Sequence, residues 1–117
     1  MPTTTWKGRE RQVAKYFGGD RTPLSGNNSK HTGADVIHER LFVEHKHRKR
    51  HSILTLFEKV KRLALKENKL PVVSISESGR HGFWILVHSQ DLLAVANQRE
   101  VALKNERLGE FGKINVD

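Results

Sequence analysis

Cysteine is absent from the 117 residues, which excludes disulfides, thiolate zinc sites and a thiol nucleophile. No apolar run approaches the roughly 20 residues that a membrane-spanning helix needs, and the N-terminus has no signal-peptide pattern. The expectation is therefore a cytoplasmic protein with no membrane partner, in the host cytoplasm if the source is viral. Acidic residues are also scarce: 13 Asp and Glu against 21 Lys and Arg leave a formal charge of +8. A field of that sign concentrates polyanions, so an acidic partner such as nucleic acid is expected. With no thiolates, any metal must sit on carboxylates, imidazoles or carbonyls. The length suits one compact domain over residues 1–117, built on one core.

Along the chain, Arg9 to Phe17 reads as a helix whose apolar side takes Val13, Ala14, Tyr16 and Phe17, with Gly18-Gly19 stopping it. The Gly, Ser, Asn and Thr content of residues 18–33 predicts a long mobile loop of the kind that carries function. Ala34 to Ile37 and Leu41 to Val43 read as two strands of an antiparallel hairpin, the second running on through Lys46. Ile53, Leu56, Phe57, Val60, Leu63 and Ala64 recur at helical spacing and predict an amphipathic helix that ends before Pro71. A second hairpin follows, Val72 to Ser76 and Phe83 to Val87, with its turn at Ser78-Gly79. Ser89 is placed to cap a last helix carrying Leu92, Leu93, Val95 and Ala96, and residues 108–117 read as a loose tail. This order predicts an α/β single domain, a central mixed β-sheet flanked by helices.

Chemistry concentrates at Asp35 and Glu44-His45-Lys46. Strand side chains alternate between faces, so Phe42, Glu44 and Lys46 project from one side, and Val43 and His45 from the other. If the preceding strand pairs with this one, Asp35 joins Glu44 and Lys46 around one small volume. Hard ions such as Mg²⁺, with Mn²⁺ as a substitute, take oxygen ligands, and Asp35, Glu44 and the His45 backbone carbonyl are of that type. Such an ion polarises a phosphodiester and lowers the pKa of water, and Lys46 would steady developing negative charge. The bland alternative is a solvated Glu44–Lys46 ion pair, worth about 0 to 1 kcal/mol. Against it, these charges interrupt an otherwise apolar strand, Leu41-Phe42-Val43. Glu10 is a further candidate carboxylate, although acidic residues near a helix N-terminus also serve the helix dipole.

Four pieces in order resemble the archaeal-type Holliday junction resolvases of the PD-(D/E)xK nuclease superfamily. They are Lys7-Gly8-Arg9-Glu10-Arg11, Arg21-Thr22-Pro23-Leu24-Ser25-Gly26, Gly33-Ala34-Asp35-Val36 and Val43-Glu44-His45-Lys46, and by element order the likeness spans residues 7–84. The resemblance implies a restriction-endonuclease-like core and a homodimer that hydrolyses phosphodiesters in branched double-stranded DNA with Mg²⁺. It also implies that Glu10, Asp35 and Glu44 surround the metal, that Lys46 takes part in hydrolysis, and that Ser25 approaches the scissile strand. His45 departs from the pattern, which more often has an apolar or small residue there.

Lys7, Arg9, Arg11, Arg21, Lys30, His47, Arg48, Lys49 and Arg50 are the candidate DNA contacts, since Arg and Lys on phosphates supply most non-specific affinity. His45, His47 and His51 invite a zinc reading, and alternate spacing puts His45 and His47 on one strand face, but no third ligand of placement matching those two is evident and basic neighbours oppose a cation. Phe57, Phe83 and Trp84 are assigned to the core rather than to base stacking. Two other functions fit the same residues. One is a related nicking or repair nuclease, and the other a non-catalytic basic DNA-binding module.

Overall fold

The computed structural model describes residues 5–23 and 32–116, with side chains as far as residue 109. Its contacts divide the chain into two compact units, Met1–Lys49 and Arg50–Asp117, each with one two-stranded antiparallel sheet among the described residues. Among the described residues the strands form these two antiparallel pairs and not the single central mixed sheet expected from the element order, while the mixture of helix and strand is as expected.

In the first unit, helix α1 (Trp6–Tyr16) begins three residues earlier than its apolar pattern suggests, because Thr5 caps it: its Oγ1 accepts from the Gly8 N–H at 3.0 Å. Ala14 and Gly8 form the buried side of α1, whereas Tyr16 and Phe17, assigned to that side by spacing, are exposed and pack edge-to-face on each other at 4.9 Å. The helix stops where Gly18 turns left-handed at φ +75°. Gly18 N–H then donates to Lys15 O (3.1 Å) and Gly19 N–H to Ala14 O (2.9 Å), the paired closure of a Schellman motif.

Strand β1 (Asp20–Arg21) comes directly after this turn and pairs antiparallel with β2 (Val36–Ile37), Asp20 opposite Ile37 and Arg21 opposite Val36. The expected loop over residues 18–33 therefore contains a strand at its start, and residues 24–31 lie outside the described part. The expected hairpin partner of β2, residues 41–43, is not a strand: β1 takes that place. Val36 and Ala34 are almost fully buried.

In the second unit, α2 (Ser52–Lys66) carries the amphipathic pattern, but its inward stripe is narrower than the sequence suggests. Phe57 is buried and Ile53, Val60 and Ala64 are half-buried, while Leu56 and Leu63 face outward. The first four lie within about 60° of one another at 100° per residue, and Leu56 and Leu63 fall to one side. Beyond the Glu67 cap α2 is closed by Asn68 in the left-handed region (φ 56°), with Lys69 N–H donating to Ala64 O and Asn68 N–H to Leu65 O. Strands β3 (Val73–Ile75) and β4 (Trp84–Leu86) form the expected hairpin, with Val73 opposite Leu86 and Ile75 opposite Trp84. Phe83 and Trp84, expected in the core, are exposed. Val73 and its partner Leu86 are the covered end of the hairpin, and at the other end the Arg80 guanidinium lies over the exposed Trp84 ring at 4.7 Å.

A 3₁₀ turn (Ser89–Asp91) leads into α3 (Leu92–Val116). The turn's own cap is His88, whose Nδ1 accepts from the Gln90 N–H at 3.1 Å, and Ser89, expected as a cap, is the turn's first residue. The expected loose tail after Leu108 continues as helix to Val116.

Candidate functional site

Asp35 sits one residue before β2 and is held from two sides. Thr22 N–H donates to its carbonyl (3.0 Å), and its own N–H donates to Val43 O (2.9 Å). The adjacent Ala34 is gripped as well: its carbonyl accepts from the buried Thr22 hydroxyl at 2.8 Å, and its N–H donates to Thr32 Oγ1 at 3.1 Å. With the backbone fixed, the half-buried carboxylate accepts the His45 N–H on Oδ2 at 2.7 Å. A charge-assisted bond of this length is among the stronger kinds. Asp35 Oδ1 carries no hydrogen bond among the described residues.

The segment around His45 shows the alternation expected of it even though it is not hydrogen-bonded as a strand. Val43 and His45 are half-buried, and Glu44 and Lys46 are exposed. Lys46 Nζ meets Glu44 Oε2 at 2.9 Å, with both side chains open to water. A pair of this kind contributes about 0 to 1 kcal/mol, so an ion or a phosphate can separate it cheaply. The anchor bond from His45 N–H thus brings the Asp35 carboxylate against the peptide between Glu44 and Lys46. On the other face, His45 and His47 rings stack at 6.4 Å, and His45 Nε2 is buried without a hydrogen-bond partner among the described residues.

Glu10 has a different neighbour. Its Oε1 accepts from Arg21 Nε at 2.9 Å, and both side chains are mostly buried, 13% and 19% exposed. The Trp6 ring lies under the Arg21 guanidinium and under Lys7 Nζ, each 5.5 Å from the centroid. Glu10 is also beyond the first turn of α1, which holds no acidic residue, so the dipole role suggested by the sequence does not apply. Among the described residues no group of three or more His, Asp or Glu is arranged to hold a metal, so Glu10, Asp35 and Glu44, expected around one ion, form no such group. The same observation covers His45, His47 and His51.

Of the candidate DNA contacts, Lys7, Arg9 and Arg11 are exposed on α1, where Arg9 bonds Gln12 at 3.1 Å. Arg21 is committed to Glu10. His47, Arg48 and Lys49 are exposed at the end of the first unit, and Arg50 is exposed at the start of the second. Ser25 and Lys30 lie outside the described residues. Sequence reasoning missed Thr22, whose hydroxyl and amide hold Ala34 and Asp35, and Trp6, which supports Arg21. A small polar residue directly after a cation carries no signal of that role. Among the described residues no helix is long and apolar enough to cross a membrane. Comparison with protein-family models, with curated proteins and with solved structures finds no match.

Proposed function

We propose that this chain is a Mg²⁺-dependent endodeoxyribonuclease that resolves four-way DNA junctions by phosphodiester hydrolysis. The observation that supports the reading is the bond from His45 N–H to the Asp35 carboxylate, which ties Asp35 to the backbone of the segment that carries the Glu44–Lys46 pair. The residues that would hold the metal are of the right chemical type: the Asp35 and Glu44 carboxylates and the His45 carbonyl are hard oxygens, and Asp35 Oδ1 is open among the described residues, while Glu44 is paired with Lys46. When bound, Mg²⁺ would polarise the phosphodiester and lower the pKa of water beside it.

The chain's own residues do the rest. His45 N–H and the Thr22 and Val43 backbone bonds orient Asp35, so that the carboxylate needs little rearrangement when substrate arrives. Lys46, beside Glu44 at 2.9 Å and exposed, would supply the ammonium that stabilises negative charge developing on the phosphate. Glu10 joins the ligand set only if it parts from Arg21. The basic side chains of α1 and of residues 47–50 hold the DNA backbone. A homodimer supplies two such sites related by a two-fold axis, which suits the two cuts that a symmetric junction requires.

Purified protein incubated with four-way, nicked and linear DNA and Mg²⁺ tests this. Junction cutting is expected; cutting of nicked or linear DNA alone would replace the resolvase with a related nicking or repair nuclease. A non-catalytic DNA-binding module is the second reading, favoured by the fact that Glu10 and Glu44 are both paired with cations. It predicts DNA binding with no cleavage of any of the three substrates.

A further inference from the structure

The Schellman turn does more than end α1, because it builds a cleft. Gly19 lies so close to β2 that an added Cβ would collide with the Ile37 carbonyl and come within 2.8 Å of Val36 Cγ1. The turn is thereby held against β2. Between helix and turn is an open cleft of about 490 Å³, whose floor is Ala14, Gly18 and Gly19 and whose charged lining is Arg11, Lys15, Asp20 and Arg21.

Charge in the cleft is not balanced. Arg21 is matched by Glu10 at 2.9 Å. Among the described residues neither Arg11 nor Lys15 has a carboxylate in ion-pair distance, Asp20 included. Lys7, Arg11 and Lys15 recur every four residues, so they share one face of α1 and climb it in steps of about 6 Å. Both glycine amides are used inside the turn, so an anion in the cleft would be held by side chains alone.

The cleft also has a fixed relation to Asp35. Arg21 pairs with Val36 across β1 and β2, and Thr22 N–H bonds the Asp35 carbonyl. We infer that Arg11 and Lys15 form a phosphate-binding subsite that holds a backbone phosphate of the nucleic-acid strand lying across the Asp35 site. This rests on the nuclease reading for the identity of the strand. The subsite reads charge and not sequence, since it has no group aimed at a base edge.

Salt dependence of binding measures it. Each phosphate contact removed lowers the magnitude of the slope of log K against log salt by about 0.9 on duplex DNA, so Arg11→Ala/Lys15→Ala, which removes both holders of one phosphate, should lower it by about 0.9. Fluorescence anisotropy with a labelled 20-base-pair duplex would compare this double variant and wild type with Arg99→Ala/Lys104→Ala, which removes equal charge from α3. The expected result is a lower slope and weaker binding for the first variant only. An unchanged slope, or an equal fall in both variants, would overturn the subsite.

Junction cutting is assayed on the same samples. Wild type that binds and cuts, with no slope change in the variant, removes the subsite and leaves the nuclease. A slope change without any cutting removes the nuclease and leaves the subsite. Wild type that binds anionic phospholipid vesicles and no DNA overturns both. Arg11→Lys/Lys15→Arg keeps the charges and should keep the slope; a loss there, or a loss of helical circular dichroism in the alanine variant, would assign the effect to folding and overturn the inference.

Discussion

The backbone N–H of His45 points at the carboxylate of Asp35 from 2.7 Å, and the Asp35 N–H reaches back to Val43 at 2.9 Å. These two bonds run in opposite directions across the same few residues. Asp35 is therefore anchored by its own backbone and anchors the Glu44–Lys46 segment with its side chain, so structure and proposed chemistry depend on one residue.

Asp35→Asn and Asp35→Ala separate those duties. Asn retains an oxygen to accept from His45 N–H, whereas Ala does not. Altering even an outer partner of a metal ligand typically costs about 10 to 100-fold, so replacing a ligand should lower cleavage by at least about 100-fold in both variants. Duplex binding should persist in Asn. Asp35→Asn retaining near-normal junction cutting would rule out a ligand role.

Lys46→Ala should move metal affinity and cleavage in opposite directions. Removing the ammonium 2.9 Å from Glu44 leaves that carboxylate free for a cation, yet the exposed pair is worth at most about 1 kcal/mol. Mg²⁺ affinity, read by calorimetric titration, should rise by no more than about 5-fold. Cleavage should fall by about 100-fold or more, as for loss of a transition-state charge stabiliser. Unchanged cleavage would reduce Lys46 to a surface partner of Glu44.

Chelation should stop cleavage without unfolding the protein. The grip on Asp35 consists of protein hydrogen bonds, from Thr22, Val43 and His45. Far-ultraviolet circular dichroism should be the same in EDTA and in Mg²⁺. Saturating Mg²⁺ should add only the linkage term, about 1.4 kcal/mol at ten times its Kd, visible as a modest rise in Tm. A chain that melts on chelation would contradict this account.

Thr22→Val removes a hydroxyl of nearly the same shape as the methyl that replaces it. The Ala34 carbonyl then loses its 2.8 Å donor in a buried place. Leaving such a group unsatisfied costs about 1 to 3 kcal/mol, measurable as a lower urea midpoint. Cleavage should fall with it, because Ala34 and Asp35 move together.

Gly19→Ala probes the close approach behind the cleft. Its new methyl group would meet the Ile37 carbonyl and Val36 Cγ1, and forced overpacking costs about 1 to 3 kcal/mol. Gly18→Ala should also destabilise, for a different reason: there is space around it, but its φ of +75° disfavours a side chain. Ala at either position without a fall in urea midpoint would mean that the turn is not held as described.

Local patterns were legible where one element's own residues decide the outcome. The periodicity from Ile53 to Ala64 marked α2, the two apolar runs around Ser78-Gly79 marked the second hairpin, and alternation put Glu44 and Lys46 on the opposite face from His45. The composition by itself determined the +8 charge and the restriction of any metal to oxygen and imidazole ligands. Which strand joins β2 was not legible, because Asp20-Arg21 is too short and polar to announce a strand, and pairing depends on the Gly18-Gly19 turn delivering it. The exposure of Phe83 and Trp84 likewise depends on what covers a hairpin, which no single stretch of sequence states. The partners of the acidic residues were decided in three dimensions: Glu10 by Arg21, 11 positions away, and Asp35 by His45, ten away. Sequence determines a side chain's charge and the face on which it stands, while its partner is chosen by the folding of separate segments against each other. Only the tertiary structure could turn Asp35 and Glu44-His45-Lys46 from a spacing into a bonded arrangement.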